Sequence, residues 1–147
     1  MKIKKMILPV LMIATTVLSC GMMVSAESYK STLCISSTFD GKSRKYTKGS
    51  TLYCNVYNAY LDTPFSANHK SDVLYIEALK NDWAWIFYHK VGSQQSKTVY
   101  YNKKVDVCTS FKFDGSGDYR FRFTKRDALK YGGQETIVSK NVQMGSK

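Results

Sequence analysis

The feature that most constrains the fold is a strict alternation of side-chain character between Val105 and Arg126. One set of alternate positions is apolar or aromatic, and the intervening set is mostly polar or charged. The first set consists of Val105, Val107, Thr109, Phe111 and Phe113, followed by Tyr119, Phe121 and Phe123. A period of two is typical of a strand with one buried and one solvated face. The stretch is therefore predicted to form two strands with rings inside and cations outside.

The residues between these strands, Gly115-Ser116-Gly117, favour a β-hairpin with a three-residue loop. The pairs aligned in this register are Phe113 with Tyr119, Phe111 with Phe121, and Thr109 with Phe123. A slip of one residue would turn every apolar side chain outward, so the pattern selects this register. It also sets Lys112 opposite Arg120 on the outer face, where like charges repel. An anionic partner or solvent screening would relieve that repulsion.

Further strands are predicted at residues 29–39, 50–60, 98–101 and 134–144. The first two are expected to form a hairpin around Arg44. Residues 72–90 predict another hairpin, with a two-residue turn at Asn81-Asp82. Its expected pairs are Ile76 with Phe87, Ala78 with Trp85, Tyr75 with Tyr88 and Glu77 with Ile86. The predicted fold is all-β: a single-domain antiparallel β-sandwich of seven or eight short strands, immunoglobulin-like or jelly-roll-like.

The segment Asp114-Gly115-Ser116-Gly117-Asp118-Tyr119 is similar to the corner of immunoglobulin-like sandwiches, where a Tyr follows a Gly into a late strand. The second Cys of that family would fall at Phe121 here. The interval from Cys54 to Trp83 is also longer than the usual Cys-to-Trp step. The resemblance therefore implies a sandwich and no function.

Residues 1–26 are predicted to be a signal peptide, with a basic start, an apolar run from Met6 to Leu18, and cleavage before Glu27. Residues 27–147 would then form one secreted, extracellular domain. The alternative is a lipoprotein signal, because Val17-Leu18-Ser19-Cys20 resembles a bacterial lipobox. In that case the protein would be lipid-anchored through Cys20.

The chain has 22 Lys and Arg residues against 11 Asp and Glu, a formal net charge of +11. Such a charge in an exported, tyrosine-rich domain suggests contact with cell-wall polymer, glycan or an anionic membrane surface, with nucleic acid not expected. The predicted binding residues are Lys112, Arg120, Arg122, Lys42, Arg44 and Lys45. Simple solubility, or a sheet face protected from aggregation, is the alternative explanation.

Three cysteines follow the predicted signal peptide, so an export compartment permits one disulfide and leaves one thiol. Cys34 and Cys54 flank the predicted first hairpin and are the preferred pair. Cys54 with Cys108 is the alternative, as a link between sheets. Their spacing does not suggest a metal site.

No catalytic signature is present, so the sequence predicts a non-enzymatic protein without a cofactor or metal. His69 and Asp72, with Ser66 and Ser71 nearby, are the residues an enzyme acting on wall polymer would use. The run Asp114-x-Ser116-x-Asp118 would begin a calcium loop, but the twelfth position holds Lys125 instead of Glu. The function predicted is adhesion to the cell envelope or to an extracellular anionic polymer. A bacteriocin-like secreted antibacterial toxin is the alternative.

Overall fold

The computed structural model describes residues 27–63, 66, 68–82, 87–127 and 135–147. These residues form β-strands and no helix. They therefore contain no helix with the length and apolar character needed to cross a membrane. The predicted signal peptide and Cys20 lie outside the described residues.

Ten strands build two antiparallel sheets in the described part of the chain, where the sequence predicted seven or eight. The extra strands are short ones, only three residues long, in which no alternation can be read. In chain order the strands are β1 (Ser28–Ile35), β2 (Thr38–Asp40), β3 (Arg44–Tyr46), β4 (Thr51–Asp62), β5 (Ser71–Asn81), β6 (Tyr88–Lys90), β7 (Gln95–Tyr100), β8 (Val105–Lys112), β9 (Gly117–Lys125) and β10 (Thr136–Ser146).

Sheet A has the strand order β1-β10-β4-β8, and sheet B has the order β2-β9-β5-β6. In sheet B, β3 also pairs with β9 and β7 also pairs with β5. The inward side chains of both sheets form one apolar cluster. Leu52, Val56, Leu74 and Ile76 are completely buried in it. Burial of each such side chain contributes about 1.5–3 kcal/mol, which is what holds the sheets together.

The predicted hairpin of residues 105–126 is wrong, although both of its strands exist. β8 pairs with β4 in sheet A, whereas β9 pairs with β5 and with the short strands β2 and β3 in sheet B. The connection at residues 113–116 therefore crosses from one sheet to the other. The alternation fixed which face of each strand is apolar, but the two faces meet across the core and not side by side.

The ring pairs expected from the hairpin register still touch, now between the sheets. The Phe111 and Phe121 ring centroids are 6.0 Å apart, and those of Phe113 and Tyr119 are 5.7 Å apart. The Tyr119 hydroxyl donates to the Gly115 carbonyl oxygen at 2.5 Å. This bond ties the start of β9 back to the preceding turn.

The predicted hairpin of β1 and β4 is also wrong. β10, from the end of the chain, lies between them and pairs with both. Sequence neighbours were expected to pair, but β10 instead forms antiparallel ladders with both strands. Ile137 and Val142 from β10 are buried in the core.

The β5–β6 hairpin exists with a different register. Tyr88 pairs with Asn81 and not with Tyr75. The edge of β5 beside Tyr75 is instead occupied by β7, through Ser96. Because Asn81 is paired within the ladder, it does not form the predicted two-residue turn with Asp82. The expected partners Trp85 and Ile86 lie outside the described residues, and Phe87 is 65% exposed.

Strand β4 contains a bulge that determines which of its side chains point outward. The pairing with β8 shifts between Val56 and Ala59, and Asn58 has a φ of 52°. Asn tolerates this left-handed conformation, and its N–H donates to the Asp106 carboxylate at 2.8 Å. Beyond the bulge, Tyr60 joins the earlier outward residues of β4 on the same side of sheet A.

Candidate binding surface

The cations predicted to form one basic face are divided between the sheets. Lys112 pairs with Thr51 and is exposed on the outer side of sheet A. Arg120 and Arg122 alternate with buried aromatic residues of β9 and lie on the outer side of sheet B. The predicted juxtaposition of Lys112 with Arg120 is therefore wrong, because their strands belong to different sheets.

Asp40 binds both arginines of β9. Its carboxylate accepts hydrogen bonds from Arg122 at 2.6 and 3.0 Å, and an Arg120 nitrogen lies 3.0 Å away. The hydrogen bonds from Arg122 hold the pKa of Asp40 below its ordinary value, outweighing the opposing effect of burial. The Arg120 guanidinium also lies 3.8 Å from the centroid of the Tyr88 ring. These two guanidinium groups are therefore already engaged within the protein.

The remaining predicted cations lie around β3. Arg44 lies over the Tyr29 ring, 4.3 Å from its centroid, and is partly buried. Lys42 and Lys45 are exposed. Lys45 pairs with Asp118 in the ladder between β3 and β9. Of the predicted residues, these two lysines and Lys112 have the most accessible charges.

The outer face of sheet A carries a row of tyrosines that the sequence analysis did not identify as a site. Tyr53, Tyr57 and Tyr60 project from β4, and all three are half-buried. At about 3.3 Å per residue, the row extends for about 20 Å along the strand. The Asn55 amide lies in the same row and donates to the Tyr57 hydroxyl at 3.2 Å.

Gly145 of β10 leaves room for the hydroxyl end of the Tyr53 ring. A Cβ atom at this glycine would be 2.5 Å from the Tyr53 hydroxyl oxygen and 2.7 Å from its Cζ. The ring therefore occupies the space above the β10 backbone where a side chain would stand.

Lysines surround this row. The Lys147 Nζ lies 6.0 Å from the Tyr53 ring centroid at one end, and the Lys104 Nζ lies 6.0 Å from the Tyr60 centroid at the other. Lys112 and Lys30 lie on the β8 and β1 flanks and are exposed. Within the described residues none of the four forms an ion pair with Asp or Glu. We call this surface the tyrosine–lysine face; it consists of Tyr53, Tyr57, Tyr60, Lys30, Lys104, Lys112 and Lys147.

A second group of polar residues is buried where β5 begins. Asp72 and Glu135 are fully buried, Lys125 is 1% exposed, and the Lys125 Nζ lies 2.8 Å from Asp72 and 3.1 Å from Glu135. His69 Nδ1 lies 2.6 Å from Glu135 Oε1. Ligand atoms of His69, Asp72 and Glu135 lie within 4.8 Å of one another, as in a metal site. The Lys125 ammonium, however, already lies against both carboxylates, so a metal ion would have to displace it.

The loop suggested for calcium places its acids apart. The Asp114 carboxylate faces His89 at 3.3 Å and Lys80 at 3.6 Å, and His89 also contacts Asp82. Asp118 pairs with Lys45 on the other side of β9. The Asp114 carboxylate is thus engaged by basic side chains, whereas Asp118 is only aligned with Lys45 in the backbone ladder, which does not favour a shared calcium ion.

The three cysteines among the described residues are free, and one of them faces away from the other two. Cys54 is buried in the core, whereas Cys34 and Cys108 are exposed. Cys108 pairs with Asn55, the residue next to Cys54, so Cys54 and Cys108 lie on opposite faces of sheet A. β10 separates the strands that carry Cys34 and Cys54. Neither predicted disulfide is formed, because alternation gives the cysteines of each pair opposite orientations.

Comparisons with known proteins give little further guidance. No protein-family model matches the chain, and no curated protein matches it. Among solved structures, the chain is similar to one described as a family two carbohydrate esterase from Cellvibrio japonicus, with 14% identity and a TM-score of 0.28. The match covers 82% of this chain and 35% of that one, so this chain spans about a third of its length.

Proposed function

We propose that this chain is a secreted, non-catalytic protein that binds an anionic polymer or glycan of the cell envelope through the tyrosine–lysine face. The observation that carries the proposal is the row formed by Tyr53, Tyr57 and Tyr60, surrounded by lysines that form no ion pair with an acid in the described part of the chain. The proposal keeps the class of ligand predicted from the sequence. It moves the contact from the β9 arginines to sheet A.

The chemistry of the face suits a charged polysaccharide or a glycan bearing phosphate or carboxylate groups. A tyrosine ring presents a flat apolar surface to a sugar ring, and its hydroxyl offers a hydrogen bond at the edge. The amides of Asn55 and Gln143, which pair across β4 and β10, add donors and acceptors beside the rings. Lysine ammonium groups act as point charges for anions along the polymer.

The β9 arginines are less suited to this role. A polymer that bound Arg120 or Arg122 would have to compete with the Asp40 carboxylate, which already makes charge-assisted contacts with both. Lys42 and Lys45 form no ion pair with any of the residues that the structure describes, and they serve as the comparison surface in the experiment below.

Secretion is proposed from residues 1–26, whose basic start and apolar run fit a signal peptide. A chain beginning at Glu27 would retain the contacts described for the fold. The Glu27 carboxylate accepts hydrogen bonds from the Thr47 N–H at 3.0 Å and from its hydroxyl at 2.7 Å. Anchoring through Cys20 is the alternative.

The experiment measures binding of residues 27–147 to insoluble bacterial cell wall, before and after chemical removal of its anionic polymer. Tyr53→Ala and Tyr57→Ala are each expected to weaken binding about tenfold, about 1.4 kcal/mol, as for an anchor residue at the centre of an interface. Raising salt from 0.1 to 1 M shortens the screening length from about 10 to about 3 Å, so binding should weaken if charge contributes.

Matched controls separate the surfaces. Tyr101→Ala removes an exposed tyrosine from another part of the molecule and should leave binding unchanged. A Lys104→Gln/Lys112→Gln variant should lose affinity, whereas Lys42→Gln/Lys45→Gln should not. Equal losses from both lysine pairs, or no loss from the tyrosine variants, would refute the assigned face. Inhibition of bacterial growth by the purified protein would favour the bacteriocin-like alternative.

A further inference from the structure

The buried group at the start of β5 is unusual because it brings together charged side chains that are almost completely excluded from solvent. Asp72, Lys125 and Glu135 have exposed fractions of 0%, 1% and 0%. Removing such ions from water costs several kcal/mol each, and mutual attraction repays this only with favourable geometry. Burial lowers the pKa of Lys125, but hydrogen bonding and attraction from Asp72 and Glu135 together raise it.

The pairing of β5 with β9 holds the Lys125 amine close to the Asp72 carboxylate. Lys125 pairs with Leu74 in the β5–β9 ladder, and the Arg126 N–H donates to the Val73 carbonyl oxygen at 3.0 Å. Asp72 lies two residues before Leu74 on the same face of β5. The Lys125 Nζ therefore lies 2.8 Å from an Asp72 oxygen because the strands are fixed there. Groups held in this way react as if at very high concentration.

The surroundings of the Asp72 carboxylate match the needs of acyl substitution. Its Oδ1 accepts hydrogen bonds from the N–H groups of Val73 at 2.6 Å and Asp127 at 3.4 Å. These donors are positioned to stabilise negative charge on that oxygen when a nucleophile adds to Cγ. The other oxygen, Oδ2, faces Lys125.

Glu135 is placed to move the protons. Its Oε2 lies 3.1 Å from the Lys125 Nζ, and its Oε1 lies 2.6 Å from His69 Nδ1. His69 thus fixes the carboxylate so that its second oxygen points at the amine. A carboxylate within hydrogen-bond distance of a buried amine can accept a proton from it and return that proton to a departing oxygen.

We propose that Lys125 and Asp72 are a site of covalent modification, at which the two side chains join in an intramolecular amide bond with the help of Glu135. The ammonium gives a proton to Glu135, and the neutral nitrogen forms a bond to Asp72 Cγ. The Cγ–Oδ2 bond then breaks, and the oxygen leaves as water with two protons from the original ammonium. The amide keeps the third proton, and nothing is oxidised or reduced.

Such a bond would link neighbouring strands β5 and β9 across a long segment of the chain. It would replace two buried charges with a neutral amide, which removes their desolvation cost. It would also constrain the unfolded chain as a disulfide does, in a protein whose described cysteines are free. The inference stands apart from the proposed binding function, since neither surface residues nor ligand take part.

The test is mass spectrometry of the purified full chain, after reduction, alkylation and denaturation. The expected mass is that of the sequence actually present less one water molecule. Because a succinimide, or cyclisation of an N-terminal Glu27, also loses water, a tryptic map must assign the loss. It should contain a branched peptide joining the segments around Asp72 and Lys125, with no cleavage after Lys125.

Three variants assign the roles. Lys125→Arg should have its full sequence mass and no branched peptide. Glu135→Gln should also remain unlinked, or link many times more slowly, while near-ultraviolet circular dichroism reports whether it folds. Asp72→Asn should lose one ammonia instead of one water if residue 72 is the acyl partner. Wild-type protein that keeps its full mass and an unmodified Lys125 after prolonged incubation would overturn the proposal, whatever the variants do.

Discussion

Replacement of Asp40 by Asn tests whether the β9 arginines are held by an internal partner. The change removes the charge with little change in shape. It weakens two contacts to Arg122 and one to Arg120, at 2.6 to 3.0 Å. Hydrogen bonds to charged groups contribute about 1.5–3 kcal/mol each when buried. These side chains are 25–34% exposed, so values nearer those of surface pairs, about 0.2–1 kcal/mol each, apply.

We therefore expect Asp40→Asn to lower the free energy of unfolding by about 1–2 kcal/mol at pH 7. The pKa of Asp40 is lowered in the folded state, from an ordinary value of 3.8. The stabilisation is thus fully present above pH 3.8, where the carboxyl is ionised in both states. It is lost as pH falls through the depressed folded-state pKa.

Urea denaturation of the wild type and the variant at pH 7, 5, 3 and 2 measures this dependence. The two proteins should differ fully at pH 7 and 5, and the difference should shrink as the pH falls below 3.8. Asp118→Asn is the control, because Asp118 is exposed and forms no ion pair within the described residues. A difference that persists unchanged to pH 2, or an equal effect of Asp118→Asn, would refute the assigned role of Asp40.

Two further predictions concern the sheets and the thiols. The effects of Lys112→Glu and Arg120→Gln on the free energy of unfolding should add within about 0.3–0.5 kcal/mol, because the two residues lie on opposite outer faces. A coupling energy near 1 kcal/mol in the double variant would instead support the hairpin register. Burial raises the pKa of Cys54, so a maleimide should modify Cys34 and Cys108 in native protein and Cys54 only after unfolding. Intact mass counts the modified thiols, and rapid native labelling of all three would contradict the described core.

Part of the proposed binding surface was readable in the sequence. The alternation of Tyr53, Asn55 and Tyr57 with Leu52, Cys54 and Val56 predicts one polar, aromatic side on that strand, and the structure confirms it. What the sequence did not provide was the rest of the face. Gly145 and Lys147 come from the far end of the chain, and only the insertion of β10 beside β4 brings them to Tyr53.

The buried charged group was likewise only partly predictable from the sequence. His69 and Asp72 were singled out from the sequence, but Lys125 and Glu135 were not. Lys125 continues the inward positions Tyr119, Phe121 and Phe123, so the period of two already placed a lysine on an apolar face. That signal was available. The approach of Glu135 depends on tertiary folding alone.

The sequence by itself determined the class of structure and the orientation of side chains within each strand. Apolar and polar residues alternate with a period that matches the pleat, so Phe111 and Phe121 had to face a dry interior. Only the tertiary structure decided which strands are hydrogen-bonded neighbours. Backbone hydrogen bonds are the same for every residue type, and an apolar face is buried equally well beside its partner or across a core from it. That is why β8 and β9 satisfied the predicted ring contacts from two different sheets.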